Sequence, residues 1–333
     1  MAPMPAPASK RPSVTAVARA CGVSPSTVCR ALNTVGDINA ATRDRILACC
    51  ARLGYSRDAA ASAMRGRRPP VVACLMPDQG HELYMDKLFH LKEQVRQAGF
   101  LWRFYGYADP VEGEGYFREI LESRPVGLIF NLALNPEQLR RLRAAELPTV
   151  AYDLELPGLD GVVLDRQAGC QAAAARLLER GRRRILLLGS GLDSDRGRGY
   201  IAAHAAAAVP MDPKLVVDRP FGRDLFEYGW RETTDALRRT RVDALFAVND
   251  AAAIGALHAL RAAGLQTPQD VAVIGFDDIM AAAHAAPPLT TVVQPKAELA
   301  AQSVRLLLRR QQHPAAARRV LRLATTLCIR ESA

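Results

Sequence analysis

Ser24, Ser26, Thr27 and Arg30 put three hydroxyls and a guanidinium within seven consecutive residues. Hydroxyls pair with phosphate oxygens, and a guanidinium reaches a phosphate or the acceptors on a guanine edge. Such a set works only if a rigid element presents it on one side, and the flanking residues supply that element. Val14, Val17, Ala18 and Cys21 recur at helical spacing and predict a helix that ends at Gly22. Ser24 stands where an N-cap belongs and Pro25 at the first helical position, so a second short helix begins there. That helix turns Val28, Ala31 and Leu32 inward and Ser26, Thr27 and Arg30 outward. Two short helices joined through a glycine turn form a helix-turn-helix, whose second helix fits the DNA major groove. The same small residues would also suit a helical hairpin buried in any core.

Charge favours the first reading. Residues 1–68 hold eleven Lys/Arg against three Asp, so eight of the ten formal positive charges sit in the first fifth of the chain. A basic balance confined to one end is an electrostatic footprint for phosphate. Elsewhere the composition is that of a globular protein, long enough for two or three domains. No apolar stretch is long enough to span a bilayer, and the first residues lack the apolar core of a secretory signal. Seven scattered cysteines form no CxxC pair and the six histidines show no ligand spacing, so a reducing, cytoplasmic setting is expected, with no metal and no cofactor.

Residues 1–11 read as a disordered arm. Asn39 is placed to cap a third helix carrying Ile46, Leu47, Cys50 and Leu53 at helical spacing, which closes a headpiece over 12–57. Residues 58–66 form an Ala-rich segment that Asp58 can cap. It has almost no apolar face beyond Met64, so as a helix it needs outside support. Pro69 and Pro70 end it. From Val71 short apolar strands alternate with helices in two successive series, which implies two α/β subdomains with parallel sheets and a cleft at the carboxyl ends of the strands. A last helix over 296–310 and one last strand, TTLCIR, complete the chain.

This order, with the motifs VARACGVSPSTVCRALN, LGY followed by AAASAM, VGLIF, AVND, IGFDD and LTTVVQP, resembles the lactose-repressor (LacI/GalR) family of bacterial transcription regulators over nearly the whole chain. The resemblance implies a three-helix helix-turn-helix headpiece joined to a periplasmic-binding-protein-like core of two doubly wound α/β subdomains. It implies a hinge helix and linker over 58–70 and a ligand-binding and dimerisation region over 71–333. The first subdomain would span about 71–165 and 295–322, the second about 166–294 and 323–331. Base-reading residues would fall on Pro25, Ser26 and Arg30. Thr27, Asn33 and Asn39 would hold the phosphate backbone, Thr15 and Ser24 would complete the DNA-facing set, and Met64 would wedge a minor-groove step. Family ligand positions map onto Asp153, Arg196, Phe221, Asn249, Asp277 and Gln294, with Asp78, His81 and Tyr84 lining the cleft after the first strand. Carboxylates, amides and a forked guanidinium suit the paired hydroxyls of a sugar.

The implied protein is a homodimeric repressor of operator DNA, controlled by a sugar or sugar derivative and remote from membranes. Two alternatives compete with it. Gly189-Ser190-Gly191 follows a strand as in a dinucleotide-binding enzyme, but Ser194 stands where the third glycine belongs. A solute-binding sensor on the same core would account for the cleft and leave the headpiece without a use.

Overall fold

The computed structural model describes residues 13–33, 38–53, 55, 71–78, 81–219, 222 and 224–333. The chain divides into two units, Met1–Pro69 and Pro70–Ala333, each described by itself.

In the first unit, Ser13 accepts a hydrogen bond from the Ala16 N–H and so starts α1 (Val14–Cys21). Gly22 ends α1 in the left-handed region (φ 63°), which costs glycine least. Ser24 then starts α2 (Pro25–Asn33), its hydroxyl accepting from the Thr27 N–H. Asn39 accepts from the Ala41 N–H and starts α3 (Ala40–Leu53). The three helices close on Val17, Ala18, Cys21, Val28, Ala31, Ile46, Cys49 and Cys50. Burying Val17, Val28 and Ile46 contributes roughly 1.5–3 kcal/mol each. The expected inward face of α3 is corrected here. Leu47 is 44% and Leu53 37% exposed, and Cys49 packs inside in their stead. A core lined by small residues brings α1 and α2 close enough to α3 that a thiol fills the space.

The second unit holds two six-stranded sheets. The first runs β1 (Val71–Pro77), α4 (Glu82–Gln97), β2 (Leu101–Tyr107), α5 (Pro110–Ser123), β3 (Gly127–Phe130), α6 (Pro136–Ala144), β4 (Thr149–Tyr152) and β5 (Asp160–Asp165). The second runs α7 (Arg166–Glu179), β6 (Ile185–Leu188), α8 (Asp195–Ala206), β7 (Val216–Val217), α9 (Leu225–Arg239), β8 (Ala244–Ala247), α10 (Asp250–Ala262), β9 (Ala272–Asp277), α11 (Met280–Ala283) and β10 (Thr290–Val293). Helix α12 (Lys296–Gln312) returns to pack on the first sheet, burying Leu299, Val304 and Leu307 among its side chains. The chain ends in β11 (Val320–Ala324) and β12 (Thr326–Cys328).

The sheet orders are β11-β5-β4-β3-β1-β2 and β12-β10-β9-β8-β6-β7, so one plan is used twice. Pairing is parallel throughout except for β12, which runs antiparallel to β10. The single terminal strand expected from TTLCIR is therefore two. VLRLA pairs with β5 in the first sheet and TLC with β10 in the second, the chain changing sheets at Thr325. Thr325 donates its hydroxyl to the Asp165 carbonyl at 2.9 Å, tying this passage to the one that enters α7. The strands are buried runs such as GLIF, TVAY and ALFA, as helices on both faces require.

Candidate functional site

The exposed face of α2 carries Pro25, Ser26 and Arg30, with Thr27 half-buried beside them. The Ser24 hydroxyl lies 2.7 Å from that of Ser26 and 2.8 Å from that of Thr27, so the cap and its neighbours form one hydroxyl cluster at the helix start. Backbone N–H groups and the helix dipole make that end attractive to an anion. Thr15 and Asn39 are exposed on the same unit. Asn33 closes α2, and its side chain, like Met64 and the Ala-rich segment around it, lies outside the described residues.

The cleft is built at the carboxyl ends of the strands of both sheets. Tyr152 ends β4, and Asp153 follows it in the left-handed region (φ 56°). Its Oδ2 accepts from Lys87 Nζ at 2.7 Å and from Arg166 Nη2 at 2.6 Å. Burial alone would raise the Asp153 pKa, but the charges of Lys87 and Arg166 outweigh it and hold the carboxyl below its ordinary range. Neither cation was singled out from the sequence, yet both left signals there. Lys87 interrupts the inward stripe Leu91 and Val95 of α4 with a charge. Arg166 places a cation in the first turn of α7, against the helix dipole.

On the second sheet, Asp277 ends β9 at φ 120°, a strained value for a non-glycine residue. Gln294 Nε2 donates to its Oδ1 at 2.5 Å. Burial drives the Asp277 pKa up to about 6 even though Arg196, Lys87 and Arg166 pull the other way. Behind it the buried Asp250 accepts from the Thr291 hydroxyl at 2.5 Å and the Ile279 N–H at 2.9 Å. A Cβ on Gly275 would lie 2.2 Å from the Asp250 carboxylate, so the glycine of IGFDD makes room for this network. The Arg196 guanidinium lies over the Phe276 ring, 4.7 Å from its centre. Ser194, expected to break a dinucleotide loop, caps α8 and accepts from the Gly197 N–H.

Tyr84 lies within electrostatic reach of Asp153, Asp277, Arg166 and Arg196. Burial, and then the two carboxylates, push its pKa up. His81, Asn249 and Asp277 line one cavity of about 540 Å³ together with Glu82, Leu225 and Ile279. Burial also pushes the His81 pKa down. Asn249 caps α10 through the Ala252 N–H, so it serves the helix as well as the cavity wall. Asp78 stands exposed beyond β1, its N–H donating to the Tyr107 carbonyl at 2.8 Å, and Phe221 lies outside the described residues. Asp153 Oδ1, Arg196 Nε and Gln294 Oε1 are buried and have no hydrogen-bond partner among the described residues. No group of side chains fit to hold a metal occurs among the described residues, and none of their helices is long and apolar enough to cross a membrane.

Comparison with known proteins adds relatives to this geometry. Residues 14–58 match the bacterial regulatory proteins of the lacI family, and residues 174–333 a periplasmic binding protein-like domain. The chain is 31% identical over 327 residues to the HTH-type transcriptional regulator DegA of Bacillus subtilis (strain 168), covering 95% of this chain and 96% of that protein. It is 27% identical to the ribose operon repressor of Haemophilus influenzae, covering 95% and 97%. Among solved structures, the transcriptional regulator CelR-cellobiose complex aligns with a TM-score of 0.71 at 29% identity, over 97% of this chain and 100% of that one. The lac repressor dimer bound to operator and the anti-inducer ONPF shares the fold, with a TM-score of 0.84 at 23% identity over 97% and 99%.

Proposed function

Because the chain belongs to the lacI family of bacterial regulatory proteins, transcription regulators rather than enzymes, we propose that it is a homodimeric repressor whose hold on an operator is set by a sugar or sugar derivative in the cleft. The observation that carries the ligand reading is the set of unpartnered buried atoms contributed by both sheets. A buried polar atom left unpaired costs about 1–3 kcal/mol. Hydroxyls can donate to Asp153 Oδ1 and Gln294 Oε1, while a sugar oxygen accepts from Arg196 Nε. A polyol meets all three needs at once, and the Phe276 ring already holds the guanidinium in place. The sugar-bound relatives CelR and a ribose-bound family member support the same class.

A ligand gripping groups of both sheets favours one angle between them. Coupled to the headpieces, that preference changes operator affinity by about 1–3 kcal/mol in systems of this kind. On DNA, Ser26 and Arg30 read base edges from the exposed face of α2. Thr15, Ser24, Thr27, Asn33 and Asn39 fix the register on the phosphates. Two copies match a pseudo-palindromic operator.

Two measurements test this. A thermal-shift screen against sugars, sugar phosphates and purines should find a sugar-class ligand that raises the melting temperature. A response to purines alone would replace the ligand class. Fluorescence anisotropy with operator and random duplexes should show Arg30→Ala weakening the operator complex about 10- to 100-fold more than the random one. Equal weakening of both would remove Arg30 from base readout.

A further inference from the structure

The cleft lies at the carboxyl ends of the strands; at the opposite end of the first sheet, where β4 and β5 begin, arginines gather around one carboxylate. Asp160, the first residue of β5, is fully buried. Arg310 donates to its Oδ2 at 2.7 Å, and the Arg319 N–H donates to Oδ1 at 2.8 Å. Arg310 also donates to the Pro314 and Ala316 carbonyls at 2.8 and 2.7 Å. These bonds pin the turn after α12 onto β5, and they give Asp160 and Arg310 a structural use.

They leave a surplus of positive charge. Arg318 and Arg309 reach the same carboxylate only at 3.7 and 3.9 Å. Arg143 comes in from α6 and donates to the Pro157 carbonyl at 2.9 Å. Three guanidinia therefore converge on one buried acid, and Arg143 stands beside them in the cavity wall with Glu146 as the second acid at the rim. Partial burial and the adjacent Arg310 charge push the Arg318 pKa down, helped by Arg143 and Arg309, and Asp160 offsets this only in part. Arg143, Arg310 and Arg318 line a cavity of about 380 Å³ with Thr149 and Pro148 in its wall. Like charges crowded around a hollow repel one another, and an entering oxyanion turns that repulsion into charge-assisted hydrogen bonds.

We propose that this cavity is a second effector site, binding the phosphate group of a small phosphorylated metabolite between Arg143 and Arg318. Its volume suits a molecule of that size. The two strands that begin at Thr149 and Asp160 lead to Asp153 and Arg166, so the site and the cleft share a rigid connection. The assignment stands independently of what the cleft binds.

Isothermal titration of the full-length protein with inorganic phosphate and with glycerol 3-phosphate, at constant ionic strength, tests it. Arg143→Ala, Arg318→Ala and the cleft variant Arg196→Ala are titrated alongside. Arg143 and Arg318 are exposed enough that their removal leaves the fold intact, which an unchanged melting temperature verifies. The expected result is saturable binding of both probes, weakened about tenfold by Arg143→Ala and by Arg318→Ala and unaffected by Arg196→Ala. No saturable binding of either probe overturns the proposal. So does binding that survives both substitutions, or binding lost in Arg196→Ala alone.

Discussion

The two walls of the cleft are the same construction with opposite electrical character. β4 and β9 hold equivalent places in their sheets, as do β5 and β10. Asp153 follows β4 and Asp277 ends β9, both at positive φ. The residues after β5 and β10 are Arg166 and Gln294, and each reaches the aspartate of its own wall. On the first wall two cations hold the carboxylate ionised. On the second, an amide is the one side chain among the described residues that bonds the carboxylate, and burial raises its pKa to about 6. Symmetry of backbone therefore does not impose symmetry of charge. Where two directly bonded cations give way to one amide, burial prevails and the fixed anion becomes a group that titrates near neutrality.

The contrast can be broken most severely on the first wall. Asp153→Ala leaves Lys87 and Arg166 facing each other without their shared anion. Stability should fall by roughly 3–5 kcal/mol in urea denaturation, since an unpaired buried charge is the costliest outcome for such a network. A loss below about 1 kcal/mol would mean that solvent already reaches the cluster. Next in size is Arg196→Ala, which removes the forked donor of the second wall. Ligand affinity should drop by roughly 2–3 kcal/mol in calorimetry with the melting temperature of the free protein nearly unchanged. Equal losses of affinity and stability would make Arg196 a structural residue.

Titration sharpens the comparison. The Asp277 pKa rises on folding from 3.8 to about 6, so the folded state holds the proton more tightly than the unfolded chain. Its favourable contribution is full below about pH 4 and is lost as pH climbs through 6. Asp277→Asn should therefore flatten the fall in stability between pH 4 and 7 by on the order of 2 kcal/mol, measured by denaturation at each pH. Asp250, whose pKa is shifted in the same direction by burial and by Asp277, contributes to the slope that remains. An unchanged slope would show that Asp277 is ionised throughout. The smallest effect is expected from Gln294→Leu. Loss of one hydrogen bond should cost about 1 kcal/mol and move the pH dependence upward, because that bond favours the ionised form.

Much of this was legible in the chain. Short apolar runs alternating with helical segments gave the paired sheets, and Ser24 with Pro25 gave the start of α2. Asp277 and Gln294 were found through IGFDD and LTTVVQ, and they meet as a bonded pair. What escaped depends on distance between segments. Lys87 and Arg166 are visible only as a charge on an inward stripe and a cation at a helix start, and their partner is set when β4 delivers a carboxylate between them. Leu47 and Leu53 looked like core because spacing fixes which residues share a stripe but not how wide a stripe the neighbours cover. The terminal β11 was hidden because an edge strand with alternating exposure runs straight into β12, with only Thr325 between them.

Every ladder in the larger unit closes within one sheet, and the chain passes from one to the other at 165–166, 294–295 and 325. A tilt of one half against the other can thus be absorbed as bond rotation at three short connectors, with no inter-strand bond given up. Amide hydrogen exchange would register such a movement at those connectors and leave the strands as slow as before.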